Sequence, residues 1–97
     1  MKLHLLKFNV NKKRFREILL QSKVKRIAIF GSYAKEKQDD NSDVDFLVEF
    51  IDGADLLDQV GLKLELEELL AKKVDVVTPN SLSKYIRDKV IKEAIYL

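Results

Sequence analysis

The sequence predicts an α/β fold, with short apolar strands layered against amphipathic helices. An apolar run, Ile27-Ala28-Ile29-Phe30, stops abruptly at Gly31-Ser32. A second run, Asp43-Val44-Asp45-Phe46-Leu47-Val48, begins by alternating carboxylates with apolar residues, as a strand with two unlike faces does. A third, Lys73-Val74-Asp75-Val76-Val77, follows a long stretch of helical periodicity. The order strand, strand, helix, strand, helix implies α/β layers. The chain between Asp45 and Asp75 is long enough for a parallel return, which needs a crossover of about a dozen residues, but pattern alone leaves parallel and antiparallel pairing open.

Taken in order, residues 1–10 read either as a strand or as the lead-in to a helix, with Leu3, Leu5, Leu6, Phe8 and Val10 as their apolar positions. Asn11 is placed to cap a helix from Lys12 to Ser22, in which Phe15, Ile18, Leu19 and Leu20 recur at helical spacing. Lys12, Lys13, Arg14 and Arg16 on that helix read as solvated positions, or alternatively as a patch attracting an acidic partner or a nucleotide. Val24 to Phe30 is the first strand, Lys35 to Ser42 a loop, and Asp43 to Ile51 the second strand, broken at Gly53. Ala54 to Lys72 is a long helix with Leu57, Val60, Leu64 and residues 66–70 as its apolar contacts. Gly61 inside it costs about 1 kcal/mol against alanine, so it marks close packing or a kink. The third strand, from Lys73, ends at Pro79. Asn80 or Ser81 would cap a last helix running through Tyr96, whose apolar residues share one face, mostly to cover the sheet.

The chain has 97 residues, the size of one domain, and is read as a single unit over 1–97. Hydrophobic residues make up 46%, enough for a packed core. Charged residues reach 35%, yet the net charge is only +2 and the basic residues are dispersed, which argues against a nucleic-acid partner. Cysteine is absent, which excludes disulfides and thiol catalysis. No apolar run approaches the roughly 18 residues of a membrane span, and no secretory leader is evident, so the expected location is cytoplasmic. Glycine-rich phosphate loops of the Gly-x-x-x-x-Gly-Lys type, dinucleotide glycine patterns and zinc spacings are missing.

The chemistry sits between Gly31 and Asp75. Residues i and i+2 of a strand share a face, so Asp43 and Asp45 project together. Two such carboxylates raise each other's pKa unless a cation lies between them, and a hard, oxygen-rich site of this kind suits Mg²⁺. Gly31 leaves room for a ligand, and Ser32 is placed to cap a short helix whose free N–H groups would attract phosphate. Asp75, isolated between Val74 and Val76, is costly unless paired, exposed or bound to a cation. Tyr33 and Phe46 read as packing residues, and His4 has no partner pattern.

Phe30-Gly31-Ser32-x-Ala34 joined to Ser42-Asp43-x-Asp45-x-Leu47-Val48 resembles the signature of the DNA polymerase beta nucleotidyltransferase superfamily, and above all its minimal nucleotidyltransferase (MNT) branch, often paired with a helical HEPN protein. The likeness runs from about Val24 to the C-terminus. It implies a polymerase-beta-like fold, a small mixed, twisted sheet with helices packed on one face. It implies one or two Mg²⁺ held by Asp43, Asp45 and Asp75, the last completing the acceptor-side metal or taking the proton. It also implies that Gly31 and Ser32 contact the β- and γ-phosphates of ATP. Where the family carries Arg-Gly, this chain has Lys35-Glu36. Lysine keeps the charge for phosphate binding but loses the planar fork, which bears on nucleotide affinity and rate. The implied activity is transfer of AMP to a hydroxyl, a tyrosine of a HEPN toxin, which makes the chain an antitoxin. The alternatives are an antitoxin acting by contact alone, or an enzyme adding nucleotides to an RNA end. Self-association is left open.

Overall fold

Helix α1 (Lys12–Gln21) starts at Asn11, whose side chain accepts a hydrogen bond from the Arg14 N–H at 3.1 Å, as expected of that cap. The computed structural model describes residues 10–35, 37 and 41–97; the ambiguous N-terminal stretch with His4, and Glu36, lie outside them. From α1 the chain enters strand β1 (Val24–Phe30), then β2 (Val44–Phe50), helix α2 (Leu56–Leu70), strand β3 (Val74–Val77), a 3₁₀ turn at Pro79–Ser81, helix α3 (Lys84–Glu93) and strand β4 (Ile95–Tyr96). The sheet order is β3-β2-β1-β4. β2 and β3 are parallel, joined across α2, while β1 is antiparallel to both β2 and β4. The sheet is therefore mixed.

Strand alternation sorts the side chains. Ile27 and Ile29 of β1, Val44, Phe46 and Val48 of β2, and Val74 and Val76 of β3 join Phe15 and Ile18 of α1 and Leu62, Leu66 and Leu70 of α2 in one buried cluster. Phe15 and Phe46 are almost fully enclosed, each contributing about 1.5–3 kcal/mol of transfer free energy. Tyr33 is buried in the same cluster, in keeping with a packing role. Helix α2 opens with a capping box between Asp55 and Asp58 and closes at Ala71, which adopts the left-handed conformation at φ 54°.

Four expectations are corrected. The last helix ends at Glu93, and Ile95–Tyr96 instead pair with Ile29 and Ala28 on the free edge of β1. The Leu97 N–H also donates to the Ile27 carbonyl at 3.0 Å, so an open strand edge outcompetes one more helical turn. Nor does α3 serve chiefly as a cover for the sheet: none of its residues is buried, and Tyr85 is 87% exposed. On α2 and α1, Leu57, Val60, Leu64 and Leu20 do not pack inside the chain; all four lie exposed, because Leu62, Leu66 and Leu70 take the inward face. Finally, among the described residues no helix follows Ser32. Residues 31–35 form a wide turn in which the Lys35 N–H donates to the Gly31 carbonyl at 3.2 Å and the Lys37 N–H to the Ser32 carbonyl at 2.8 Å.

Candidate active site

Gly31 ends β1 with φ 74°, a conformation side-chain-bearing residues rarely adopt. Phe30, just before it, lies opposite Asp45 in the β1–β2 register, and Asp45 lies opposite Asp75 in the β2–β3 register. All three residues sit on the sheet face turned away from the buried cluster. The Asp45 carboxylate packs against Gly31: a Cβ built there would lie 3.3 Å from Asp45 Cγ and closer still to Oδ2. The missing side chain at residue 31 is thus what gives the Asp45 carboxylate its place.

Asp43 immediately precedes β2 and is exposed, as is Asp75, while Asp45 is half-buried. Burial, then the charges of Asp75 and Asp43, hold the Asp45 carboxyl above its ordinary pKa. The electrostatics therefore link the Asp45 carboxyl to the charges of Asp75 and Asp43. None of the three has an ion-pair partner among the described residues. They are not closed into a ligand set: among the described residues, no three carboxylates or imidazoles form a group that could hold a metal ion as placed. Their chemistry still suits a hard divalent cation, which would relieve the repulsion that Asp75 and Asp43 exert on Asp45.

Ser32 is partly exposed in the turn after Gly31. Lys35 is engaged elsewhere: its Nζ lies 3.2 Å from Glu93 Oε2 at the end of α3. Periodicity did not foretell that pair, because it joins a loop to a helix far along the chain. The same sheet face carries a second charged group that spacing alone does not single out. Arg26 Nε meets Glu49 Oε2 at 2.5 Å, and the Arg26 guanidinium lies 5.6 Å from the centre of the Tyr96 ring. The Arg26–Glu49 register pairing makes that contact, and it becomes visible once β1 and β2 are known to be antiparallel. A cleft of about 420 Å³ opens at that end of β2, lined by Glu49, Phe50, Ile51, Gly53, Thr78 and Asn80, and the carboxylate group lies outside it.

Comparison with known proteins follows this geometry. The profile described as "Nucleotidyltransferase domain" matches residues 12–97. A Methanocaldococcus jannaschii protein named as a candidate protein adenylyltransferase is 51% identical over 90% of this chain and 96% of its own length. The protein adenylyltransferase MntA of Thermococcus cleftensis is 39% identical over 76% of this chain and 75% of its own. A solved structure described as a candidate minimal nucleotidyltransferase superimposes with a TM-score of 0.82 at 36% identity, covering 100% of this chain and 97% of the other. A crystal structure of a toxin–antitoxin with AMP-PNP gives 0.72 at 28% identity, covering 90% of this chain and 72% of the other. With the profile spanning nearly all of the described residues and a relative identical at half the aligned positions, the chain belongs to the nucleotidyltransferase domain family.

Proposed function

We propose that this chain is a protein adenylyltransferase that moves AMP from ATP onto a hydroxyl of a HEPN-type toxin, and acts as its antitoxin. The observation that carries the reading is the row of Gly31, Asp45 and Asp75 at the ends of three adjacent elements, with Asp43 beside it. Support also comes from the relatives: one is a protein adenylyltransferase, and one structure is a toxin–antitoxin holding AMP-PNP.

Asp43 and Asp45 would hold Mg²⁺, with Asp75 completing the set. When bound there, the ion would supply charge neutralisation for the triphosphate and the leaving pyrophosphate. The absent side chain of Gly31 keeps the surface beside Asp45 open, so that a triphosphate can approach the backbone of the 31–35 turn. The acceptor oxygen would form its bond to the α-phosphorus as the bond to pyrophosphate breaks; the exposed Asp75 carboxylate would either complete the metal set or receive the hydroxyl proton. The hydroxyl comes from a second protein in this reading, since the related structure holding AMP-PNP is a toxin–antitoxin pair.

One observation favours a different reading. Lys35, the cation expected to meet phosphate, is paired with Glu93, which would weaken nucleotide binding in an antitoxin that works by contact alone. Incubation with ATP, Mg²⁺ and a HEPN partner, followed by intact-mass measurement, separates the two. Gain of one AMP moiety by the partner, lost with Asp43→Asn, supports transfer. A tight complex with no mass change supports contact alone. Labelling of RNA instead of protein would overturn both.

A further inference from the structure

The apolar residues of helix α2 are spread round its axis rather than gathered on one stripe. Yet only Leu62, Leu66 and Leu70 are buried. Leu57 is 79% exposed, Leu64 58% and Val60 44%, and Leu20 on α1 is 79% exposed beside them. At 3.6 residues per turn, Leu57, Gly61, Leu64 and Glu68 form one outward stripe.

Gly61 sits in the middle of that stripe, and among the described residues a Cβ added there would meet nothing within 4 Å. Glycine is a poor helix former, and close approach of a partner would account for its place here. A groove of about 320 Å³ is lined by Leu57, Gly61 and Leu64 of α2 and by Gln21 and Ser22 at the end of α1.

The charges on the two helices identify the partner. Arg14 pairs with Glu65 at 2.8 Å and Lys23 with Asp58 at 3.4 Å, so α1 and α2 run antiparallel. Leu20 is therefore level with the Leu57–Gly61 turn, and Lys13 is level with Glu68. Lys13 and Glu68 are both exposed and lack an ion-pair partner among the described residues.

We propose that the outer face of α1 and α2 is the docking surface for a second copy of this chain. The two-fold axis runs parallel to the helices and between them. A rotation about that axis lays α1 of each copy over α2 of the other. Leu20 then fills the groove lined by Leu57, Gly61 and Leu64, and Lys13 meets Glu68 twice, once on each side. The carboxylate row, on the opposite face of the sheet, stays open in both copies.

Sedimentation equilibrium of the purified full chain tests this, with twice the 11.3 kDa chain mass as the expected result. Gly61→Leu should shift the chain to the monomer while circular dichroism stays helical, because leucine is a strong helix former and its Cβ meets no described residue within 4 Å. Lys13→Glu and Glu68→Lys should each weaken the dimer by roughly tenfold or more, since each places like charges face to face at two contacts. Mixing the two variant chains should restore the dimer, because opposite charges then meet at both contacts. A chain that stays monomeric at every accessible concentration overturns the proposal. So does a dimer indifferent to Gly61→Leu, or one that the mixed variants fail to restore. If the native chain is monomeric and Leu57→Asp abolishes binding of a HEPN protein, the face belongs to that partner and the second-copy reading is wrong.

Discussion

Replacing Gly31 with alanine perturbs the site at its narrowest point. Two costs add. The backbone at φ 74° places an L-residue in the left-handed region, worth about 1–2 kcal/mol. The new Cβ also meets the Asp45 carboxylate, with Cγ at 3.3 Å, so that side chain must move into a worse position, at a further cost of about 1 kcal/mol. The expected destabilisation is about 2–3 kcal/mol, or a fall in Tm of roughly 8–24 °C for a domain of this size. Gly53 is the internal control. Its φ is 93°, but a Cβ there meets nothing within 4 Å, so Gly53→Ala should cost only the backbone share. Urea unfolding of both variants, and of Gly31→Ala combined with Asp45→Ala, isolates the contact as a coupling energy. With the carboxylate removed, Gly31→Ala should cost about what Gly53→Ala costs. If Gly31→Ala costs no more than Gly53→Ala in the native background, or shows no coupling to Asp45, then the carboxylate does not rest against Gly31 and the geometry of the site is wrong.

The pH dependence of stability should carry the mark of Asp45. Its folded-state pKa is raised by burial and by Asp75 and Asp43, so across the window between the ordinary carboxylate value and the raised one the folded chain holds a proton that the unfolded chain has released. That share of stability is present at low pH and is lost as pH rises through the raised value. Thermal melts across mildly acidic pH should show this loss in the native chain and not in Asp45→Asn; parallel profiles would refute it. Glu93→Gln should release Lys35, changing stability by no more than about 1 kcal/mol because the pair is nearly half-exposed, while nucleotide binds more tightly by calorimetry. Unchanged affinity would show that Lys35 takes no part in binding phosphate.

Much of this fold could be read from local chemistry. The Asn11 cap, the limits of β1 and the breaks at Gly53 and Pro79 are set by residues within a few positions of each other, and the structure agrees with them. The pairing of Asp45 with Asp75 across neighbouring strands could be expected from two charged residues in short apolar runs, whereas Asp43 lies just before β2 and its face is not fixed by strand alternation. What the pattern could not supply was set by distant chain. Ile95–Tyr96 become a strand only because β1 offers a free edge. Leu57 and Leu64 look like core until Leu62 and Leu66 are seen to fill that place. The Lys35–Glu93 pair joins residues far apart in the chain, so nothing local reveals it. The wide turn after Gly31 replaced an expected helix, although both would follow equally from a glycine and a serine at a strand end.

The central claim is that Asp43, Asp45 and Asp75 form one transfer site. The most direct measurement is single-turnover transfer of α-labelled AMP from ATP to a HEPN partner by the native chain and by Asp43→Asn, Asp45→Asn and Asp75→Asn. Each variant should first be shown to be folded by its thermal melt. Asp45→Asn should be at least as stable as the native chain, since it removes a half-buried charge repelled by two neighbours. The account predicts divalent-dependent transfer by the native chain and its loss, by roughly a hundredfold or more, in all three folded variants. Transfer that persists at the native rate in any one of them would remove that carboxylate from the site, and persistence in both Asp43→Asn and Asp45→Asn would contradict the account altogether.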